Sequence, residues 1–322
     1  MADKKIIAVV GSTGTQGGGL ARAILADPSG GFAVRAITRD PGKDKAKALA
    51  AAGAEVVQAD IDDVESLKKA FAGAYGVFGV TNFWEHFSAE KEKQQAQNIA
   101  TAAKAAGVKH VIWSTLEDTR QFMAADDKRM PMLQDKYRVP HFDAKAEADA
   151  FFKDVPTTFL LTTFYWDNLY MFGLAPKRGE DGGYKWAFPM GDKKLAGIAA
   201  EDIGKTAYGI FKAGSQYVGK KVGIYGEALT IKEMGEKLSK GIGIPTPYYH
   251  AAEADEYRGY GFPGADEMGN MFQYYRDFDK EFFAQRDVNT ARTLNPALQT
   301  FDQFVAQNKD KIKSATEPVP AA

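Results

Sequence analysis

Cysteine is missing from all 322 residues, which removes disulfides, thiolate nucleophiles and zinc–thiolate sites from consideration. Histidine is scarce. The four present (His86, His110, His141 and His250) are scattered and show no metal-binding spacing such as HExxH. Charge of either sign is not in excess: 41 Lys and Arg face 42 Asp and Glu, a net charge of −1. Nothing in that balance draws the chain onto nucleic acid or an acidic membrane. No apolar run approaches the roughly 20 residues of a membrane-spanning helix. The run after "MADKK" is too short for a secretion-signal core and leads directly into glycines. These absences leave a soluble protein without direct nucleic-acid or membrane contacts, expected in the cytoplasm with the nucleus also open to it.

What is there reads as an α/β protein. The length suffices for one large domain or for a large domain with a smaller lobe. "IIAVV" (6–10) has the length and β-branching of a buried strand. Helical spacing follows in "GGLARAILAD", then the alternation repeats through "FAVRAIT", "KAKALAAAG", "AEVVQAD", "VESLKKAF", "GVFGVTN", "SAEKEKQQAQNIATAAKAAG" and "HVIWST". Such alternation predicts right-handed βαβ units and a Rossmann-type doubly wound parallel sheet. Residues 116–140 form a long irregular connection, and loops of that length are functional or mobile. A helix is expected from about His141 to Phe152, and "TTFLLTTF" (157–164) as a sixth strand. The second half is richer in aromatics and glycine, with helical patterns near 200–214, 230–243 and 266–278. The expected division is a dinucleotide-binding domain over 4–155, completed by parts of 190–228. A smaller α/β lobe for substrate or partner spans 156–314, and 315–322 form an unstructured tail.

The first strand runs into "VVGSTGTQGGG", which spaces Gly11, Gly14 and Gly17 as GxxGxxG before a helix. Gly11 lets the chain turn off the strand. Gly14 lets backbone N–H groups approach a pyrophosphate at the helix N-terminus, and Gly17 lets the helix pack close to the sheet. No Gly-Lys-Ser/Thr follows, so this is not a Walker loop. The second strand ends in Arg39, with Asp40 next and Lys43 a short turn on. A guanidinium fork and an ammonium suit the extra phosphate of NADP. After the third strand, Asp60 is placed for the adenine amino group and Ile61 for its ring, while Asp62 or Asp63 caps the next helix. Thr81, Asn82 and Phe83 follow the fourth strand at the sheet's carboxyl edge, where cofactors lie in open α/β sheets.

"GSTGTQGG", "VRAITRDPGK", "VTNFWE", "PHFDAKAE" and "FYWDN", in this order, resemble the NmrA-like family of atypical short-chain dehydrogenase/reductases. The likeness is closest to its HSCARG-like branch of NADP-binding redox sensors. It continues through "MGDKKLAGIAAEDIG" and "GFPGADEMGNMF", so it covers nearly the whole chain. The resemblance implies an NADP(H) site assembled from Gly11, Ser12, Thr13, Gly14, Thr15, Gln16 and Gly17, with Arg39, Lys43, Asp60, Ile61, Thr81, Asn82 and Phe83. Lys145, Tyr165, Trp166, Asp167 and Asn168 would complete it near the nicotinamide. Relatives also use a lysine of the long helix. Here Lys93 and Gln94 stand at the neighbouring positions, and whether Lys93 substitutes is open.

In ordinary short-chain reductases Ser, Tyr and Lys cooperate, the Tyr and Lys four apart on one helical face. Here Ser114 (or Thr115) and Lys145 are present, but His141 stands where the tyrosine would be. An imidazole reaches roughly 2 Å less far than a phenol oxygen. An ammonium that assists tyrosine chemistry would also push a histidine toward its neutral form. On this reading Lys145 holds the cofactor and His141 is a weak catalyst at best, with Tyr165 the other hydroxyl to consider. The expected function is an NADP(H)-binding redox sensor that regulates a protein partner, transcriptional regulation included, with little dehydrogenase activity. The alternative is an NADPH-dependent oxidoreductase of a small carbonyl, quinone or enone, its substrate pocket formed by the aromatic second lobe. A sugar-nucleotide epimerase is weaker still, because that chemistry needs the same missing tyrosine. The oligomeric state stays open, a homodimer among the options.

Overall fold

The computed structural model describes residues 4–124 and 126–317. Seven parallel strands form the main sheet. They are β1 (Lys5–Val9), β2 (Phe32–Thr38), β3 (Glu55–Gln58), β4 (Gly76–Gly79), β5 (His110–Thr115), β6 (Thr157–Leu161) and a last strand, Lys221–Gly223, hydrogen-bonded beside β6. The β1 strand lies between β2 and β4, so the chain reverses its direction of sheet growth there. A crevice opens beyond the carboxyl ends of strands at such a reversal, and open α/β sheets bind ligands in it.

Helices cover both faces. On one, α1 (Thr15–Leu25) and α2 (Asp44–Ala51) supply Leu20, Ile24 and Leu49 to a core that also holds Ile203, Ala207 and Ile210 of a later helix, Ala200–Lys212. On the other, α3 (Val64–Phe71), α4 (Ala89–Ala105) and α5 (Pro140–Ala148) bury Leu67, Phe71, Ile99, Ala103 and Ala148 against Val77, Val111 and Trp113. The cap of α3 is Asp63, whose carboxylate accepts the N–H groups of Glu65 and Ser66. Helix α1 and the helix Ala200–Lys212 cross without side chains between them. A Cβ on Gly204 would lie 2.1 Å from the backbone nitrogen of Leu20, and one on Gly19 2.6 Å from the carbonyl oxygen of Glu201.

The sixth strand is shorter than its apolar run. It stops at Leu161, and Phe164–Tyr165 joins a second, three-stranded sheet with Leu195–Ile198 and Glu227–Leu229. Residues 166–317 are otherwise mainly helical, with one more three-stranded sheet, and their aromatic core includes Phe188, Phe272, Tyr274, Phe301 and Phe304. The last helix, Lys309–Thr316, extends two residues into the expected tail, and Thr316 is buried. Positions 318–322 of that tail lie outside the described residues.

The connection 116–140 is tied down rather than free. Buried Asp143 accepts the N–H groups of Thr119, Arg138 and Val139 and the Thr119 hydroxyl. From the far lobe, Asn270 donates to the carbonyls of Pro131 and Arg138, and Gln273 to that of Arg129. Among the described residues no helix is long and apolar enough to cross a membrane.

Candidate functional site

A cavity of about 1630 Å³ runs along the carboxyl ends of the strands. Its floor at one end is the loop from Gly11 to Gly17, all seven residues of which line it. Gly11 sits at φ +64°, a conformation that side chains resist. A Cβ on Gly17 would lie 2.6 Å from the carbonyl oxygens of Val10 and Gly11, so a side chain there would force α1 off the sheet. The helix begins at Gly14 with no side-chain cap and no acidic residue in its first turn. Its free N–H groups and positive dipole end therefore face the cavity, which suits a pyrophosphate. Ser12 is committed to structure, its hydroxyl donating to the Ile37 carbonyl at 2.9 Å.

Arg22, Arg39, Lys43 and Lys45 line this same end. Arg39 is engaged by a residue that sequence reasoning missed: its Nη2 lies 2.5 Å from Glu85 Oε1. That hydrogen bond, together with the Glu85 charge, raises the Arg39 pKa. Asp40 accepts the N–H of Gly42 at 2.8 Å and is occupied in shaping its own turn. Asp60 and Ile61 line the cavity beside Asp62, whose carboxylate meets Lys91 Nζ at 2.8 Å and accepts from Gln95. The glycine loop, the bare helix end and this basic cluster fit a dinucleotide.

Toward the middle, Thr81, Asn82 and Phe83 line the wall with Ser114, His141, Lys145 and Tyr165. Gln16 bridges two of the candidates: its Oε1 accepts the Ser114 hydroxyl at 2.8 Å while its Nε2 donates to the Tyr165 oxygen. Burial raises the Tyr165 pKa against the hydrogen bonds from Thr162 and Gln16. Thr115 turns away and donates to Asp149 at 2.6 Å.

Both residues of the His–Lys pair have carboxylate partners that no sequence motif announces. Lys145 Nζ lies 2.6 Å from Glu92 Oε1, 2.7 Å from the Thr81 hydroxyl and 3.2 Å from the Thr81 carbonyl, which engages its three N–H groups within the protein. Glu92 is fully buried. His141 faces a different carboxylate. Glu267 Oε1 accepts the His141 backbone N–H at 2.8 Å and also contacts its ring Nδ1. The expectation that the Lys145 ammonium governs His141 therefore fails: Glu92 balances the one and Glu267 partners the other. A signal did exist. Glu92 falls on the stripe Ala89, Ala96, Ile99 and Ala103 of α4, and Glu267 on the stripe Asn270, Met271 and Tyr274, so each is a carboxylate on a helix's buried face.

One further expectation is corrected. Trp166 does not line the cavity; it is buried against Phe301 and Phe304. Lys93, whose role the sequence left open, does not line the cavity and is held by carboxylates of α4 and α5, Glu90 at 2.8 Å and Glu147 at 3.1 Å. Asp167 and Asn168 do line the cavity, although the Asp167 carboxylate is spent on the Ala200 N–H and the Tyr170 hydroxyl. Beside Ser114 and His141 the cavity includes a chamber lined by Trp84, Phe164, Phe172, Met268, Met271 and Tyr275. Phe87, Met171 and Phe172 are exposed at 41%, 50% and 58%, an apolar rim to its mouth. No cluster of three or more metal-ligating side chains occurs among the described residues.

Comparison with known proteins follows this geometry. A sequence profile described as the NmrA-like family matches residues 3–315. The oxidoreductase FrzB of Cladobotryum sp., described as containing an NmrA-like family domain, is 29% identical over 304 residues, covering 90% of each chain. Among solved structures, the negative transcriptional regulator Nmra superposes with a TM-score of 0.79 at 22% identity, over 97% of this chain and 98% of that one. The same regulator has been crystallised with NADP (TM-score 0.77, 22% identity, the same coverage). The triphenylmethane reductase of Citrobacter sp., complexed with NADP(H), reaches 0.71 at 19% identity, over 97% and 99% of the two chains.

Proposed function

The chain belongs to the NmrA-like family, and from that premise we propose that it binds NADP(H) along the sheet edge and reduces an uncharged, largely apolar acceptor in the aromatic chamber. One observation carries this reading: the cavity is larger than a site for one small ligand. Sites for a single small ligand enclose roughly 300–1,000 Å³. The 1630 Å³ here leaves room for a second molecule, and aromatic and methionine side chains of the far lobe surround that room.

Bound NADPH supplies a hydride. The protein supplies its placement. The N–H groups at the start of α1 hold the pyrophosphate, and Arg39 and Lys43 take the ribose phosphate once Glu85 yields the guanidinium. Lys145 and Glu92 fix Thr81 at the sheet edge, and Gln16 aligns the Ser114 and Tyr165 hydroxyls toward the nicotinamide end. Two of the named relatives support this reading, while the regulator Nmra does not bear on it. FrzB is described as an oxidoreductase, and the Citrobacter enzyme as a reductase complexed with NADP(H).

The test is NADPH binding by calorimetry followed by NADPH oxidation against hydrophobic quinones, enones, ketones and imines, with anionic acceptors as controls. Turnover confined to the apolar acceptors is expected. NADPH binding without turnover on any of them would refute the reductase and favour a cofactor-sensing regulator. That second reading rests on His141 standing where short-chain reductases carry tyrosine, with its shorter reach.

A further inference from the structure

We propose that His141 delivers the proton of the reduction from Nε2, with Glu267 as its positioning residue; this rests on the reductase reading. Glu267 is 3% exposed and His141 6%. One carboxylate oxygen accepts the backbone N–H of His141 and contacts the ring Nδ1 of the same residue, and an ionised carboxylate can only accept there, so Nδ1 would carry the proton. That double bond pattern fixes the ring's rotation and its tautomer together. With Nδ1 committed, Nε2 is the edge left for a bound molecule. His141 lines the cavity, and no hydrogen bond from Nε2 is found among the described residues. The rings of Phe142, Trp84 and Phe83 lie 4.8, 5.0 and 5.9 Å from the imidazole and hold it from three sides.

A merely structural role explains this pairing poorly. Apolar residues of like volume stabilise a buried position as well as an ion pair does or better. A carboxylate brought from a helix 126 residues away onto a cavity-lining imidazole has a chemical use: it steadies the imidazolium and aims it. The neighbouring charges do not compete for the ring. Lys145 is taken by Glu92, His86 lies 3.5 Å from that same carboxylate, and Asp143 is turned to the 116–140 connection.

The step balances. The reduced nicotinamide gives a hydride, two electrons and a hydrogen, to the electrophilic carbon of a C=O or C=N acceptor. The π pair moves to the heteroatom, which takes H⁺ from Nε2 of the imidazolium and leaves the neutral Nδ1–H imidazole. The products are the alcohol or amine and the oxidised dinucleotide, and the imidazole regains its proton from water. The acceptor class is thus one whose heteroatom needs a proton, in an apolar frame.

The test uses the full chain with ¹⁵N-labelled histidine, where only four rings give signals. In the wild type the neutral His141 ring should be the Nδ1–H tautomer, and Glu267→Leu should move it toward Nε2–H. Kinetically, His141→Gln and Glu267→Gln should lower kcat on ketones or imines by roughly 10²-fold or more, in the range of general acid–base catalysis. NADPH affinity and the acceptor KM should hold within about threefold, and Glu267→Asp should restore part of the rate. If Glu267→Gln does not fold, His141→Gln carries the kinetic arm alone. Turnover unchanged in His141→Gln, or an Nε2–H tautomer in the wild type, overturns the pair while leaving the reductase standing. No wild-type turnover on any acceptor overturns the reductase and proton delivery together.

Discussion

Glu92→Gln removes one carboxylate from the interior between α4 and α5. Burial by itself would raise the Glu92 carboxyl. The Lys145 ammonium, the His86 ring 3.5 Å away and hydrogen bonds from Lys145 and Thr81 outweigh it and bring the group from 4.5 down to about 2. A fall of roughly 2.5 units at 1.36 kcal/mol each corresponds to about 3 kcal/mol of folding stability. The folded value lies below the unfolded one, so that stability is complete above about pH 4.5 and drains away as pH falls toward 2. Linkage puts about 2 kcal/mol of the loss between pH 5 and pH 3. Removing one partner of a buried pair also costs about 3–5 kcal/mol, because Lys145 keeps its charge. The two routes agree. Urea unfolding of wild type and variant at pH 7, 5 and 3 should show the variant about 3 kcal/mol less stable at pH 7, with the gap narrowing to about 1 kcal/mol by pH 3. Replacing both partners, Glu92→Leu with Lys145→Met, should recover much of the loss. A penalty under about 1 kcal/mol at pH 7, with an unchanged decline between pH 5 and 3, would refute the assignment of Lys145 to Glu92.

Arg39→Ala should weaken NADP(H) binding by about 1.5–3 kcal/mol, tenfold or more, with NAD(H) little changed, by calorimetry. Glu85→Gln should act in the opposite direction, tightening NADP(H) alone, since the phosphate no longer competes for the guanidinium; equal effects on both cofactors would move the phosphate site elsewhere. Gly204→Val should lower the melting temperature sharply, the new Cβ meeting the Leu20 nitrogen at 2.1 Å, and cost at least about 1–3 kcal/mol as overpacking does; a wild-type melting curve would show that the helices separate freely. The connection 116–140 should resist limited proteolysis without cofactor, and Asn270→Ala, which frees the carbonyls of Pro131 and Arg138, should make it cleavable.

The sheet and its glycine loop were legible because their signals are local. A strand of β-branched residues, glycines at fixed offsets and an aspartate before a helix each act within a few residues, and Gly11, Gly17 and Asp63 stand in the roles those signals suggest. The partners of His141 and Lys145 were not legible in the same way. Glu267 is 126 residues from His141, and Glu92 stands 53 positions before Lys145 on a different helix. Spacing within one helix put His141 and Lys145 together, and the tertiary structure gave each a separate counter-charge. Trp166 went astray for a related reason. Trp166 stands one residue past the strand Phe164–Tyr165 and turns into the far lobe's core, where the rings that receive it, Phe301 and Phe304, come from more than 130 residues later.

The side-chain-free crossing of α1 with the helix Ala200–Lys212 bears on how the protein is made. The glycine loop Gly11–Gly17 precedes α1, yet the surface that covers Leu20 and Ile24 arrives about 180 residues after them. At roughly 5–20 residues per second of synthesis, the ribosome would expose that apolar face for on the order of ten seconds or more before its cover emerges. The strand Lys221–Gly223, which flanks β6, arrives later still. A fragment ending near residue 155 would thus hold every glycine of the loop and lack the helix that presses α1 onto the sheet. Nascent chains stalled there should engage chaperones and fail to bind dinucleotide, whereas chains released beyond residue 223 gain both together.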